Sequence, residues 1–327
     1  MSVRLTVHIE RWPIAGSFVI SRGAKTEAMV VVAELRDGAF AGRGECVPLA
    51  RYSQTVEGEA AALEELAGAV ADGLDRKGLQ RALPAGPARN ALDCAFWDLE
   101  AKRAGKPAHE LAGLPALQPA TTALTISLGT PESMAAAVQK VAQRQLLKIK
   151  LGGDGDPARI AAVRRAAPRA ELIVDANEAW TEKNLAENLR ACAQAGVTLV
   201  EQPLPAGQDD ALASITRPIA VCADESIHDR SSLASLAGKY DAVNIKLDKS
   251  GGLTEALALA AEAESAGLAI MVGCMVSTSL SMAPGLLVAQ RARVVDLDGP
   301  LLLAKDRPGG MRYEGSLVYP ADAAFWG

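Results

Sequence analysis

The chemistry available to this 327-residue chain gathers where apolar runs end in charge. Gln145-Leu-Leu-Lys148-Ile-Lys150-Leu-Gly152 carries two lysines two residues apart. In a β-strand, residues i and i+2 share a face, so Lys148 and Lys150 would project side by side. Like charge and desolvation each lower a lysine pKa, which makes such a pair candidate acid/base chemistry. Other runs end in the same way. Leu172-Ile-Val-Asp175-Ala-Asn177 and Thr198-Leu-Val-Glu201-Gln-Pro203 end in acids. Ala220-Val-Cys-Ala-Asp224-Glu225 ends in an acid pair, Ala242-Val-Asn244-Ile-Lys246 in a lysine, and Val294-Val-Asp296-Leu-Asp298 in two acids two apart. One charged residue at a strand end is ordinarily where a loop begins, but six such ends in one chain describe a site.

The elements that must hold these residues alternate. Strand-like runs near 122–128, 145–151, 171–176, 197–202, 219–224, 241–247, 268–273 and 293–297 are separated by helical segments such as 131–143, 157–167, 182–195 and 254–266. This pattern fits a (β/α)8 TIM barrel, in which functional groups lie at the C-terminal ends of the strands. A doubly wound open sheet competes, but no Gly-rich nucleotide turn follows the first strand. Before the barrel, strands are expected over 3–10, 17–22 and 28–36, with a hairpin at Asp37-Gly38 and helices over 55–73 and 87–104. Gly42-Arg-Gly-Glu45 contains a GxG but no third glycine or following helix, so it is not read as a nucleotide loop. The expected organisation is an α+β capping domain over 1–115, a barrel over 116–304, and a tail over 305–327 that joins the cap.

Bulk properties narrow the function classes. Hydrophobic residues make up 49% and charged residues 22%, with a net charge of −5, an ordinary globular composition without the basic excess of a nucleic-acid binder. Every apolar run is interrupted by charge well short of membrane-spanning length, so no membrane association is expected. Cys46, Cys94, Cys192, Cys222 and Cys274 are scattered, odd in number and without CxxC spacing, which points to reduced core residues in a cytoplasmic protein. Only His8, His109 and His228 are present, too few for a His-rich metal site.

Within a barrel, Asp175, Glu201 and Asp224 come from three adjacent strands and converge. Three carboxylates around one point require a cation, and oxygen-only ligation favours Mg²⁺, with Mn²⁺ as a substitute. Lys150 and Lys246 come from opposite sides of the ring, so a carbon between them could lose a proton to one and regain it from the other. Lysine is a poor base near its ordinary pKa of about 10.4, so the site would have to lower it to about 7–8. A proton α to a carboxylate leaves behind an enolate, whose charge the cation and Lys148 would stabilise.

Together, Lys148-Ile-Lys150, Asp175-Ala-Asn177, Glu201-Gln-Pro203, Asp224-Glu225 and Asn244-Ile-Lys246 resemble the muconate-lactonizing subgroup of the enolase superfamily. The resemblance implies a modified barrel, (β/α)7β, under an N-terminal α+β cap. It implies that Asp175, Glu201 and Asp224 bind Mg²⁺, that Lys150 and Lys246 are the acid/base pair, and that Lys148 assists at the substrate carboxylate. Asn177 and Glu225 would support the site. Gly273-Cys274 stands where the histidine-based branch needs its histidine. Asp296-Leu-Asp298 resembles the aspartate pair by which dipeptide epimerases hold an α-ammonium, and Phe18-Val-Ile-Ser-Arg22 with Gly273-Cys-Met-Val-Ser-Thr-Ser279 looks most like epimerases of L-Ala-D/L-Glu. By that resemblance Arg22 meets the side-chain carboxylate of the second residue, Tyr52 closes the same face and Thr125 lines the pocket. The implied activity is epimerisation of a small dipeptide in murein peptide metabolism. An N-acylamino-acid racemase or a cycloisomerase/o-succinylbenzoate synthase-like enzyme is the same-fold alternative, and a non-catalytic ligand-binding barrel the alternative of another class. Family barrels often assemble, so a homo-oligomer is an open expectation.

Overall fold

A computed structural model describes residues 2–327. The chain opens with a three-stranded antiparallel sheet, β1 (Arg4–Ile20), β2 (Gly23–Asp37) and β3 (Phe40–Cys46), in that spatial order. The two strands expected over 3–10 and 17–22 are therefore one. β1 runs on through Pro13 and shifts register against β2 between Pro13 and Phe18. Proline is tolerated because β1 is an edge strand with no neighbour needing its amide. Its carbonyl still accepts a bond from Ala304 N at 2.8 Å. The expected Asp37-Gly38 hairpin forms, and the third strand is the GxG segment itself.

Those glycines serve packing. The helix Pro87–Ala104 lies across β3 so closely that a Cβ on Gly42 would sit 2.3 Å from Ala95 O, and one on Gly44 would sit 2.1 Å from Ala91 O. Both contacts are to backbone, which cannot yield by a rotamer change. Gly44→Ala should therefore lower stability to urea by about 1–3 kcal/mol, the usual range for overpacking. An unchanged denaturation midpoint would show that the helix moves away at no cost.

The rest of the chain is β4 (Ala120–Thr121), then β5 (Leu124–Ile126), β6 (Leu146–Lys150), β7 (Glu171–Asp175), β8 (Val197–Glu201), β9 (Ala220–Ala223), β10 (Ala242–Ile245), β11 (Ala269–Val272) and β12 (Val294–Val295). β5 to β12 form one parallel sheet in sequence order. A parallel bridge between Thr122 and Val295, with Ala123 N donating to Val295 O at 2.8 Å, brings the first strand against the last. Full helices follow β5, β6, β7, β10 and β11, whereas β8 and β9 are followed by 3₁₀ turns, Asp210–Ala213 and Arg230–Leu236. Pro203, Pro205, Gly207 and Pro218 fall in the first of these two crossovers, where a longer helix would have to form.

The tail forms β13 (Tyr313–Glu314) and β14 (Leu317–Val318), a hairpin whose second strand pairs with β4. It ends against the N-terminal sheet, where Trp326 Nε1 donates to Arg43 O at 3.0 Å and Gly327 N to Asp98 Oδ1 at 2.7 Å.

Candidate active site

The barrel interior changes character one layer up. Ala123, Leu146, Ile173, Leu199, Cys222, Ala242, Met271 and Val294 make an apolar floor, one residue per strand. Two residues later on each strand the same inward direction is occupied by Thr125, Lys148, Asp175, Glu201, Asp224, Asn244, Gly273 and Asp296. A further step of two gives Lys150 from β6, Lys246 beyond β10 and Asp298 beyond β12. The period-2 geometry of a strand thus turns six sequence motifs into one polar chamber. Gly273 is the only position in the polar ring without a side chain. A Cβ there would lie 2.6 Å from Asn244 Oδ1, and Asn244 Nδ2 holds Glu201 Oε1 at 2.7 Å.

Ligand oxygens of Asp175, Glu201 and Asp224 all lie within 4.8 Å of one another, and all three residues are buried. Lysine heads are drawn into this acidic centre. Lys148 Nζ lies 2.7 Å from Glu201 Oε2, 2.8 Å from Asp296 Oδ2 and 3.2 Å from Asp175 Oδ2. Lys150 Nζ lies 2.6 Å from Asp175 Oδ2, and Lys246 Nζ 2.7 Å from Asp224 Oδ2. Lys249, one helical turn after Lys246, also bonds the Asp224 carboxylate.

Burial and charge set the protonation states. Burial works against the Asp175 charge, but Lys150 and Lys148 outweigh it and bring the group to about 2. Asp224 is likewise held well below the usual range by Lys246 and Lys249 against its burial. Glu201 goes the other way: burial, with the Asp175 charge behind it, pushes the carboxyl up to about 7. Burial pulls Lys246 down, yet Asp224 and Glu201 more than offset it and hold the ammonium above its ordinary value; Lys148 is raised well above its own value, its burial outweighed by Asp296 and Glu201. For Lys148 and Lys246 the carboxylates thus outweigh both burial and the neighbouring ammonium groups. The nearest charges are carboxylates, and a lysine can serve as base only when those carboxylates are taken up by something else.

A divalent cation would do that. The donor set fits: three carboxylates, no imidazole or thiolate, and a Glu201 whose carboxyl is raised by burial and by the neighbouring acids, charge that a cation would relieve. Adding Mg²⁺ at a hundredfold excess over its Kd should stabilise metal-stripped protein by about 2.7 kcal/mol, seen as a rise in Tm. Glu201→Gln should remove most of that rise; a wild-type Tm indifferent to Mg²⁺ would refute the cation site.

The remaining predicted residues divide. Asp298 and Asp296 are buried beside Lys148. Asp298 Oδ2 accepts from Thr125 N at 2.6 Å, and burial with the Asp296 charge pushes its carboxyl up to about 7. Asp296 Oδ1 is buried without a partner, an acceptor left free inside the chamber. Thr125 therefore lies at the site, with its backbone amide engaged. Arg22 lies at the turn between β1 and β2 and is brought to the chamber's rim. It donates to Asn177 O at 3.0 Å, Glu178 Oε2 at 3.1 Å and Glu225 Oε1 at 2.8 Å. Asn177 is held in the left-handed region at φ 44°, its amide bonded to Asp175 Oδ1 at 2.9 Å, which presents its carbonyl to the cap. The Glu225 carboxyl is raised, first by burial and then by Asp224. Tyr52 packs edge-on to His228 with ring centroids 4.6 Å apart, and the pKa of its hydroxyl is raised by burial and by Asp224 and Glu225.

Five participants were not read from the sequence. Lys249 and Asn244 touch the carboxylates directly. Gln202 Oε1 accepts from Asp224 N and Ser226 N at 2.8 and 3.1 Å, fixing the Asp224 turn. Arg51 bonds Glu178 with two nitrogens, each at 2.9 Å. Phe18 covers Lys150, whose Nζ lies 5.8 Å from the ring centroid. Asn244 alone left a usable signal, standing on β10 two residues before Lys246.

Comparison with known proteins agrees with this geometry. Residues 2–113 match the "Mandelate racemase / muconate lactonizing enzyme, N-terminal domain" family, and residues 133–303 match "Enolase C-terminal domain-like". The chain belongs to the mandelate racemase/muconate lactonizing enzyme family. It is 46% identical to the L-Ala-D/L-Glu epimerase of Escherichia coli (strain K12), over 91% of this chain and 93% of that one. It is 43% identical to an N-acetyl-D-glutamate racemase of a Pseudoalteromonas species, over 91% and 95%. A crystal structure of an Agrobacterium tumefaciens enolase family member with homology to dipeptide epimerases, with bound sodium and L-Ala-L-Glu, is 55% identical. It superimposes with a TM-score of 0.98, covering 99% of this chain and 100% of that one.

Proposed function

We propose that this protein is a Mg²⁺-dependent dipeptide epimerase that inverts the α-carbon of the C-terminal residue in a dipeptide such as L-Ala-L/D-Glu. The observation that carries the reading is the opposition of two buried lysines. Lys150 ends β6 and Lys246 follows β10, four strands away in an eight-stranded ring, with the three carboxylates between them. A binding barrel needs no such opposed pair, whereas a 1,1-proton transfer needs one proton acceptor on each face of the carbon.

The chain's own groups have separable tasks. Asp175, Glu201 and Asp224 would hold the metal, which when bound stabilises the negative charge that develops on the substrate carboxylate. One lysine takes the α-proton and the other returns a proton to the opposite face. Lys148 keeps a fixed positive charge beside the same centre. Asp296, with its unpaired Oδ1, and Asp298 receive the α-ammonium. Arg22 at the rim meets a side-chain carboxylate on the second residue, in exchange for its contacts with Glu178 and Glu225. The similar enzymes named above act on glutamate compounds, in agreement with an acidic second residue and with a role in murein peptide metabolism. The five unpaired cysteines suit a reducing cytoplasm.

N-acylamino-acid racemisation is the second reading, and the 43% identity to an N-acetyl-D-glutamate racemase gives it weight. Incubation in D₂O with Mg²⁺ separates the two. Deuterium should enter the α-position of L-Ala-L-Glu and L-Ala-D-Glu with inversion. Exchange into N-acetylglutamate without exchange into any dipeptide would overturn the epimerase reading.

A further inference from the structure

We propose that Arg89, on the capping helix Pro87–Ala104, is a positioning residue that fixes Lys246 from outside the barrel. Lys246 does not end its strand freely. It caps a one-turn helix, Leu247–Ser250, whose backbone closes on it: Lys249 N and Ser250 N both bond Lys246 O at 3.0 Å. The far end of that turn is gripped by the capping helix. Buried Arg89 donates from Nη2 to Ser250 O at 2.7 Å and from Nε to Gly251 O at 3.0 Å. A guanidinium on the last carbonyls of a helical turn satisfies orphan acceptors and complements the helix dipole. One position along, Asn90 Nδ2 donates to Asp248 Oδ1 at 2.9 Å, and Val47 N donates to the same oxygen at 3.0 Å.

The glycine pair after the turn is shaped for this grip. Gly251 has φ +80°, and a Cβ on it would lie 2.4 Å from Arg89 Nε. Gly252 has φ +112°, and its Cβ would lie 2.5 Å from the Asp93 Cβ. Asp93 in turn accepts from Thr254 N at 2.9 Å. No comparable clamp is needed for Lys150, which is still a ladder residue, paired with Asp175 of β7, whereas Lys246 lies beyond the end of β10. The two proposed bases are therefore held by different means, one by the sheet and one by the cap.

The inference rests on the reading of Lys246 as a base, and its test keeps the two apart. Deuterium exchange into each epimer of L-Ala-Glu is measured with Mg²⁺-loaded enzyme, and Lys246→Ala identifies the epimer whose proton Lys246 removes. Arg89→Met should slow exchange into that epimer by about tenfold or more relative to the other, lowering kcat with KM little changed. Arg89→Lys, which retains charge and can keep one carbonyl bond, should recover part of the loss. Arg76→Ala removes a different contact between cap and barrel, Arg76 to Thr254 Oγ1 at 3.1 Å, and should leave the ratio between epimers at its wild-type value. Equal slowing of both epimers by Arg89→Met and Arg89→Lys, or a ratio shift in Arg76→Ala matching theirs, would overturn the proposal and reduce Arg89 to a general docking residue. If the wild-type enzyme exchanges neither epimer, the epimerase reading itself fails.

Discussion

Lys246→Ala should abolish net epimerisation while leaving α-proton exchange in one substrate epimer. The residue is 7% exposed and its ammonium is held at 2.7 Å from Asp224, so its removal deletes a group that solvent cannot replace in place. General acid–base groups contribute about 10²–10⁴-fold, and loss of one of an obligatory pair should fall at the upper end of that range for inversion. Exchange is the finer measure. With Lys150 intact, one epimer still loses its proton and recovers deuterium on the same face, so isotope enters without change of configuration. Lys150→Ala should show the mirror-image pattern. Lys148→Met should differ from both. Lys148 contacts Asp175, Glu201 and Asp296 together, and its loss leaves three acids with less compensation, so exchange into both epimers should fall alike. Proton NMR of each pure epimer in D₂O reads all of these. Residual inversion by Lys246→Ala near the wild-type rate would refute the two-base assignment.

The split between what sequence could and could not tell follows from the kind of geometry involved. Strand-end chemistry was legible because a parallel barrel strand is buried on both faces. One charged strand end, as in Lys148-Ile149-Lys150 or Leu172-Ile-Val-Asp175, could be where a loop begins, but six together could not, and period 2 fixes which residues share a direction. Residues that act from outside the period left no such trace. Lys249 lies on a one-turn helix, where spacing of i+3 in four residues cannot be told from a loop. Arg51 and Gln202 act through turns, and Gln202 takes a left-handed backbone, φ 34°, that nothing in its residue type announces. Local patterns also misled. Pro13 and Gly16 broke the alternation that makes 3–10 and 17–22 one strand. Gly42 and Gly44 lack the third glycine of a phosphate loop, which rules that reading out, but their actual use as smooth ground for a helix is not written locally. That use is a long-range contact with Ala91 and Ala95, visible only once the helix is docked. The lysine ion pairs are hidden for a related reason: the sequence shows that Lys148 and Lys150 are neighbours, but not that each finds a carboxylate first.

Asp298→Asn should move the enzyme from dipeptides toward N-acylated amino acids. The two substrate classes share the α-carboxylate and the carbon between the lysines, and differ in whether a positive charge sits at the far end. Asp296 and Asp298 are buried, at 3% and 2% exposure, and a chamber this dry rewards an ammonium partner and penalises its absence. Asp296 already spends one oxygen on Lys148, which makes Asp298 the cleaner position to change. Asparagine keeps the volume and can still accept from Thr125 N, so the fold should be unaffected. Removing one charge of a buried, hydrogen-bonded pair costs about 2–5 kcal/mol, which predicts a fall in kcat/KM for L-Ala-L-Glu of about 10²-fold or more. N-acetylglutamate, which has no ammonium to lose, should be turned over no worse than by the wild type. It should improve if repulsion from the two acids, rather than a missing contact, excludes it. The comparison of kcat/KM for the two substrates across wild type and variant decides the matter. Equal losses on both would mean that Asp298 serves only to hold Thr125 and the rim of β5, and that the selectivity for a free amine lies elsewhere in the chamber.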